Sequence, residues 1–185
     1  MASFSNDVKV TNFIFKNNEP MYSNTSWTGQ RIMRSTGIQY YQIQFTLNFI
    51  KTSIPEIQQF IAQYSQGGSF TMSLGVYGDY YGSQTGALTA TAAAPAGNIV
   101  ISTNTNNMAV GELIQFSNHN KIYRIIARTA NTLTVFPALQ NQVQAQEVIK
   151  YDKLVIEAQL DPDNDYSITV GNLMNITLKA QEVIY

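Results

Sequence analysis

The chain has 185 residues, a formal net charge of -1 and charged side chains at 12% of positions, against ~25% in an average soluble protein. No run of Lys or Arg marks a nucleic-acid groove, and the absence of cysteine excludes disulfide stapling, thiolate zinc and a cysteine nucleophile together. Asn, Gln, Ser and Thr take the place of charge, giving a polar but weakly charged surface that suits a chain covered in an assembly or, alternatively, an extracellular module.

The opening Met1-Ala2-Ser3-Phe4-Ser5-Asn6-Asp7 has neither a basic nor an apolar leader region, and no later run approaches the length of a membrane span. These features predict synthesis in the cytoplasm without direct membrane insertion. Val8 with Val10 and Phe13 with Phe15 predict a strand, and Asn17-Asn18-Glu19-Pro20 a turn leading into an irregular arm that reaches Trp27. Tyr41, Ile43, Phe45, Leu47 and Phe49 then share one parity while Gln42, Gln44, Thr46 and Asn48 share the other, as a half-buried strand requires. Ser53 with Glu56 has the spacing of a capping box, and Pro55 is tolerated in a first helical turn. Ile54, Ile57, Phe60, Ile61 and Tyr64 form the apolar stripe of a helix over about 53–66. Gly67 and Gly68 end it, and Phe70, Met72, Leu74 and Val76 alternate as a second strand.

Glycines between Tyr77, Tyr80 and Tyr81 predict a loop whose amphipathic rings suit a contact surface. From Gly86 the texture changes to small residues and then to short strands at Ile99–Ser102, Leu113–Phe116, Lys121–Ile126, Thr132–Phe136 and Glu147–Tyr151. Five short strands in this stretch predict a small barrel inserted over 86–151. Beyond Asp152, alternation at Leu154, Ile156, Ala158 and Leu160, at Tyr166, Ile168 and Val170, and at Met174, Ile176 and Leu178 predicts strands that return to the first sheet. The expected fold is mainly β, a sandwich or barrel domain of residues 1–85 plus 152–185 with one amphipathic helix, interrupted by the inserted barrel.

No constellation of catalytic residues is apparent, and none is assigned. His119, the one histidine, lies in the polar turn Ser117-Asn118-His119-Asn120 without the partners of a triad or a metal site, and reads as a turn residue. Asp161, Asp163 and Asp165 have the spacing of calcium ligands, but Tyr166 and Asn172 stand where an EF-hand loop needs glycine and glutamate, so the stretch reads as an acidic turn. Gly86, Gly97 and Gly111 fit no phosphate-binding loop, and no cofactor is indicated. Trp27, Arg31, Arg34, Tyr77, Tyr80 and Tyr81 are the candidate subunit contacts: Arg31 and Arg34, near Trp27 and Tyr40 in sequence, suit cation-aromatic contacts between subunits.

The order of features resembles the distal-tail or tube-initiator proteins of tailed-bacteriophage tail tips and baseplates. The resemblance is carried by Ser26-Trp27-Thr28-Gly29-Gln30-Arg31, by Thr36-Gly37-Ile38-Gln39-Tyr40-Tyr41 leading into Gln44-Phe45-Thr46-Leu47, and by Tyr64-Ser65-Gln66-Gly67-Gly68-Ser69-Phe70. Val110 to Phe116, Lys121 to Ile125 and Leu133 to Leu139 are similar to the small inserted barrel of those proteins. Tyr40-Tyr41 stands where tryptophan is common there, and Glu112 where aspartate is usual. The resemblance implies a tail-tube-like β domain and a virion structural protein, not an enzyme. Its partners would be copies of itself in a ring, typically a hexamer, and the phage tail-tube, hub or baseplate proteins on either side. A different reading of the same aromatic residues is a carbohydrate-binding or receptor-binding tail module, with Trp27, Tyr77, Tyr80 and Tyr81 as platforms for sugar faces. A cell-wall or polysaccharide hydrolase is a third reading, for which no convergent acid, base and nucleophile are visible.

Overall fold

The computed structural model describes residues 4–168 and 171–184. It is a mainly β protein, 44% strand and 9% helical, with one α-helix and curled sheets. In chain order the elements are β1 (Lys9–Asn18), β2 (Met21–Thr25), β3 (Arg31–Ser35), β4 (Tyr40–Phe49), α1 (Ile54–Tyr64), β5 (Ser69–Ser73), β6 (Leu88–Thr89), β7 (Val100–Ser102), β8 (Leu113–Phe116), β9 (Ile122–Arg128), β10 (Thr132–Phe136), β11 (Val148–Lys150), β12 (Val155–Leu160) and β13 (Met174–Glu182). Three sheets form, ordered β1-β4-β13-β12-β5, β6-β11-β8-β9-β10-β7 and β2-β3. By compactness the chain falls into two units, one chiefly Phe70–Ala158, the other running to Ser69 and resuming over Gln159–Val183.

In the second of these units β4 and β13 pair antiparallel, Phe45 opposite Leu178, Leu47 opposite Ile176 and Phe49 opposite Met174. All six are buried, because the strand period of two sends this parity to one face. Glu182 continues the inward parity and is itself buried, and its Oε2 accepts a hydrogen bond of 3.0 Å from the Tyr41 amide. On the other face the pairs are polar, and the Thr46 and Thr177 hydroxyls meet at 2.9 Å. β1 lies at the sheet edge, where a bulge between Thr11 and Ile14 is taken up by Asn12 at φ 49°. The extra residue restores Phe15 to the inward face, where its ring stacks on Tyr41 at 4.3 Å.

The helix buries Ile57 and Phe60 from the anticipated stripe. Its start differs from the expected capping box. A 3-10 turn over Lys51–Ser53 precedes it, and Ser53, though N-cap, makes no side-chain cap bond. Glu56 instead accepts from both the amide and the hydroxyl of Ser5, each at 2.7 Å, so a tertiary partner has displaced the local one. The irregular arm is also corrected: β2 and β3 form a regular hairpin. The second alternating strand is shorter than expected, since Val76 lies in a 3-10 turn (Gly75–Tyr77) and is exposed. Tyr166 and Ile168 are not in a strand, and Val170 lies outside the described residues.

In the Phe70–Ala158 unit the five anticipated short strands are joined by a sixth, β6, in the small-residue stretch. Just beyond β6, Ala90 bridges Thr103 antiparallel. The Thr91 amide donates to the Ser102 carbonyl at 2.9 Å and the Asn104 amide to the Thr89 carbonyl at 3.1 Å. The two ends of the six-stranded order thus meet, and the sheet curls around a core that includes Leu88, Ile101, Met108, Phe116, Tyr123 and Val135.

Candidate functional site

Two surfaces collect the residues singled out from sequence, one in each unit. The first is the β2-β3 hairpin, whose ten strand residues are all exposed. Its register sets Tyr22 opposite Arg34 and Asn24 opposite Ile32 on one face, and Met21 opposite Ser35, Ser23 opposite Met33 and Thr25 opposite Arg31 on the other. Apolar side chains therefore stand on both faces: Tyr22 is 71% exposed and Ile32 61%, and Met21 and Met33 are exposed opposite them.

The hairpin turn is built by polar contacts: the Gly29 amide donates to the Ser26 carbonyl at 2.9 Å, and the Ser26 amide to the Gln30 carbonyl at 2.8 Å. Gly29 sits at φ 85°, a left-handed conformation that suits glycine. Trp27 projects from this turn 98% exposed, so an indole lies almost wholly in water. Arg31 and Arg34 occupy opposite faces of the hairpin, so they do not act on one ligand from one side. Tyr40 lies at the start of β4, and its hydroxyl accepts from the Asn18 side chain at 2.5 Å.

The second surface is a cleft of about 360 Å3 in the Phe70–Ala158 unit. Tyr77, Asp79, Tyr80 and Tyr81 line it from one loop, and the fold adds Glu112 and Tyr151. The loop carrying the first three is tied down along its length. The Leu74 amide donates to the Leu154 carbonyl at 3.2 Å, the Leu154 amide to the Gly78 carbonyl at 3.1 Å, and the Tyr80 amide to Asp152 Oδ1 at 3.0 Å. The Tyr80 hydroxyl accepts from the Gln84 amide at 2.9 Å, and its ring meets Tyr151 edge-on at 4.8 Å. Burial, with the nearby Glu112 carboxylate, raises the Tyr80 pKa. Two glycines permit this packing: a Cβ on Gly78 would stand 2.8 Å from the Leu154 carbonyl oxygen, and one on Gly82 would land on Tyr80 Oη and Glu112 Oε1. Glu112 and Tyr151 were not singled out from sequence for this site, because only the strand pairing of the curled sheet brings their stretches to the tyrosine loop.

His119 is buried in the connection between β8 and β9, stacked on Phe116 with ring centroids 5.4 Å apart. The Asn118 side-chain nitrogen donates to the Gln142 carbonyl at 3.0 Å, which turns its oxygen toward His119 Nδ1. That orientation assigns the proton to Nδ1, so Nε2 accepts from the Tyr123 hydroxyl at 2.9 Å. The Tyr123 oxygen in turn accepts from the Gln140 amide at 3.0 Å. Glu147 completes the network, accepting from the Asn118 and Gln144 amides at 3.0 and 2.8 Å. Burial lowers the His119 pKa, against an opposing pull from Glu147.

The acidic stretch Asp161–Asp165 follows β12. Asn164 organises it, donating to the carbonyls of Asp161 and Lys179 at 2.9 and 2.7 Å and accepting from the Lys179 amide at 2.7 Å. Burial, then the charge of Asp163, raises the Asp161 pKa, with Lys179 opposing. Among the described residues no group of three or more His, Cys, Asp or Glu side chains is placed to hold a metal ion. No helix among them is long and apolar enough to cross a membrane. No protein-family model and no curated protein matches the chain.

Proposed function

We propose that the chain is a structural subunit of a bacteriophage tail tip or baseplate, forming a closed ring, a hexamer, that joins the tail tube to the distal tip. The observation that carries the reading is the β2-β3 hairpin. A two-stranded hairpin is marginal in water by itself, and this one presents Tyr22, Ile32, Met21, Met33 and a fully projecting Trp27 to solvent. Such a hairpin gains most when a neighbour covers it. β1, at the sheet edge, offers a second contact of the same kind, since an edge strand presents main-chain donors and acceptors to another chain. A ring requires head-to-tail contacts between two different patches, and a projecting arm with a strand edge elsewhere supplies such a pair. The low surface charge favours the same reading. The proposed role positions neighbouring proteins and turns over no substrate.

The test is the mass of the purified protein by light scattering across a concentration series, alone and with purified tail-tube protein. Closed rings or a defined joint complex are expected, and the combined variant Tyr22→Ser, Trp27→Ser, Ile32→Ser should leave a folded monomer. A wild-type protein that remains monomeric in both conditions, or a triple variant that assembles like wild type, refutes the proposal.

A further inference from the structure

We propose that the tyrosine cleft of the Phe70–Ala158 unit binds a neutral saccharide. The inference concerns a different surface from the hairpin and stands whether or not the chain forms a ring. Three observations lead to it.

The first is the chemistry of the lining. A sugar ring has apolar C–H faces and a rim of hydroxyls, so its sites combine aromatic faces with planar acceptors. Tyr77, Tyr80, Tyr81 and Tyr151 supply the rings, and Asp79 and Glu112 supply carboxylates able to accept from hydroxyl groups. The volume of about 360 Å3 falls at the lower end of the usual range for small-molecule sites, roughly 300–1,000 Å3. Lysine, arginine and histidine are absent from the described lining, while two acids are present. Sialylated, sulfated or phosphorylated sugars would bring negative charge to these carboxylates without a counter-charge, which selects for neutral ones.

The second is exposure. Tyr81 is 79% and Tyr77 52% exposed, although each is held on an anchored loop. Tyrosines that served only to pack would be covered. Ring area left open beside a cleft is area a ligand can cover.

The third is preorganisation. The anchoring bonds from Leu74, Leu154, Asp152 and Gln84 hold the loop before any ligand arrives. Glu112 Oε2 is fixed by the Ala109 amide at 2.7 Å, with Oε1 lying beside Gly82 and Tyr80. A site fixed in advance loses little ordering entropy on binding, which matters for saccharides because each contact is weak. Any side chain at position 82 would push Tyr80 and Glu112 apart.

The experiment is a glycan array carrying neutral hexose and N-acetylhexosamine oligosaccharides beside sialylated and sulfated ones, followed by calorimetric titration with the best neutral oligosaccharide. Wild type is expected to retain neutral glycans and no acidic ones. Y77A/Y81A should lower the affinity about tenfold or more, by loss of two aromatic faces, and E112Q should also weaken it. Light-scattering mass should match wild type in each variant, which separates this site from the assembly surface. If Y77A/Y81A does not fold, E112Q and G82A decide the matter. Absence of binding to every neutral glycan, binding confined to acidic glycans, or affinity unchanged in the folded variants overturns the proposal.

Discussion

Removing one oxygen atom, in Tyr123→Phe, tests how the curled sheet holds the long connection between β10 and β11. Tyr123 is fully buried, and its hydroxyl accepts from the Gln140 amide at 3.0 Å and donates to His119 Nε2 at 2.9 Å. Phenylalanine keeps the ring and its packing, so the transfer contribution is little changed. What is lost is satisfaction: the Gln140 N–H and the His119 nitrogen are both left facing a C–H. A buried group deprived of its partner costs about 1–3 kcal/mol. With two groups affected, and some recovery by rotation or water, we expect about 2 kcal/mol. For a chain of this length that lowers the melting midpoint by about 4–8 °C. Calorimetry at neutral pH measures the shift, and amide hydrogen exchange should show faster exchange at Gln140 before other amides of the connection. A midpoint within about 1 °C of wild type, with Gln140 still protected, would refute the reasoning.

Three further outcomes follow from the burial or exposure of single side chains. Burial depresses the His119 pKa. Between that lowered value and about 6.5 the unfolded chain therefore holds more protons than the folded one, and stability is lost as pH falls through the window. Melting scans at pH 7.5 and 5.5 should show wild type losing more than His119→Gln, and equal losses would refute this assignment. In the other unit, Phe45→Ala should cost about 3–5 kcal/mol, because Phe45 is wholly buried opposite Leu178. Urea unfolding should show the midpoint falling with an unchanged slope, while Val76→Ser, at an exposed position, should stay within about 0.5 kcal/mol of wild type.

Alternation in sequence was enough to place the strands that bury one face and wet the other. Tyr40–Phe49 and Met174–Glu182 are such strands, because inward parity and apolarity coincide over many residues. Thr132–Phe136 in the Phe70–Ala158 unit alternates in the same way, whereas Leu113–Phe116, buried at three successive positions, was legible as a short apolar run between polar turns. The helix was legible from the spacing of Ile57 and Phe60, but its N-terminal chemistry was not. A carboxylate at position 56 can cap locally or pair far along the chain, and the structure pairs Glu56 with Ser5. The β2-β3 hairpin escaped the pattern because both of its faces are exposed, so burial imposed no alternation on Met21–Thr25 or Arg31–Ser35.

At the sites the division is sharper. The tyrosines of the 77–81 loop and Trp27 could be singled out by composition as candidate contact residues. Sequence therefore determined which residue types were available, and that much of the mainly β plan which depends on local periodicity. The tertiary structure decided that Glu112 and Tyr151 close a cleft with those tyrosines, that His119 is locked between Asn118 and Tyr123, and that Arg31 and Arg34 face opposite ways. The physical reason is that periodicity reports only on a residue's own burial, whereas a site depends on which distant strands pair, and pairing is fixed by the packing of the whole sheet.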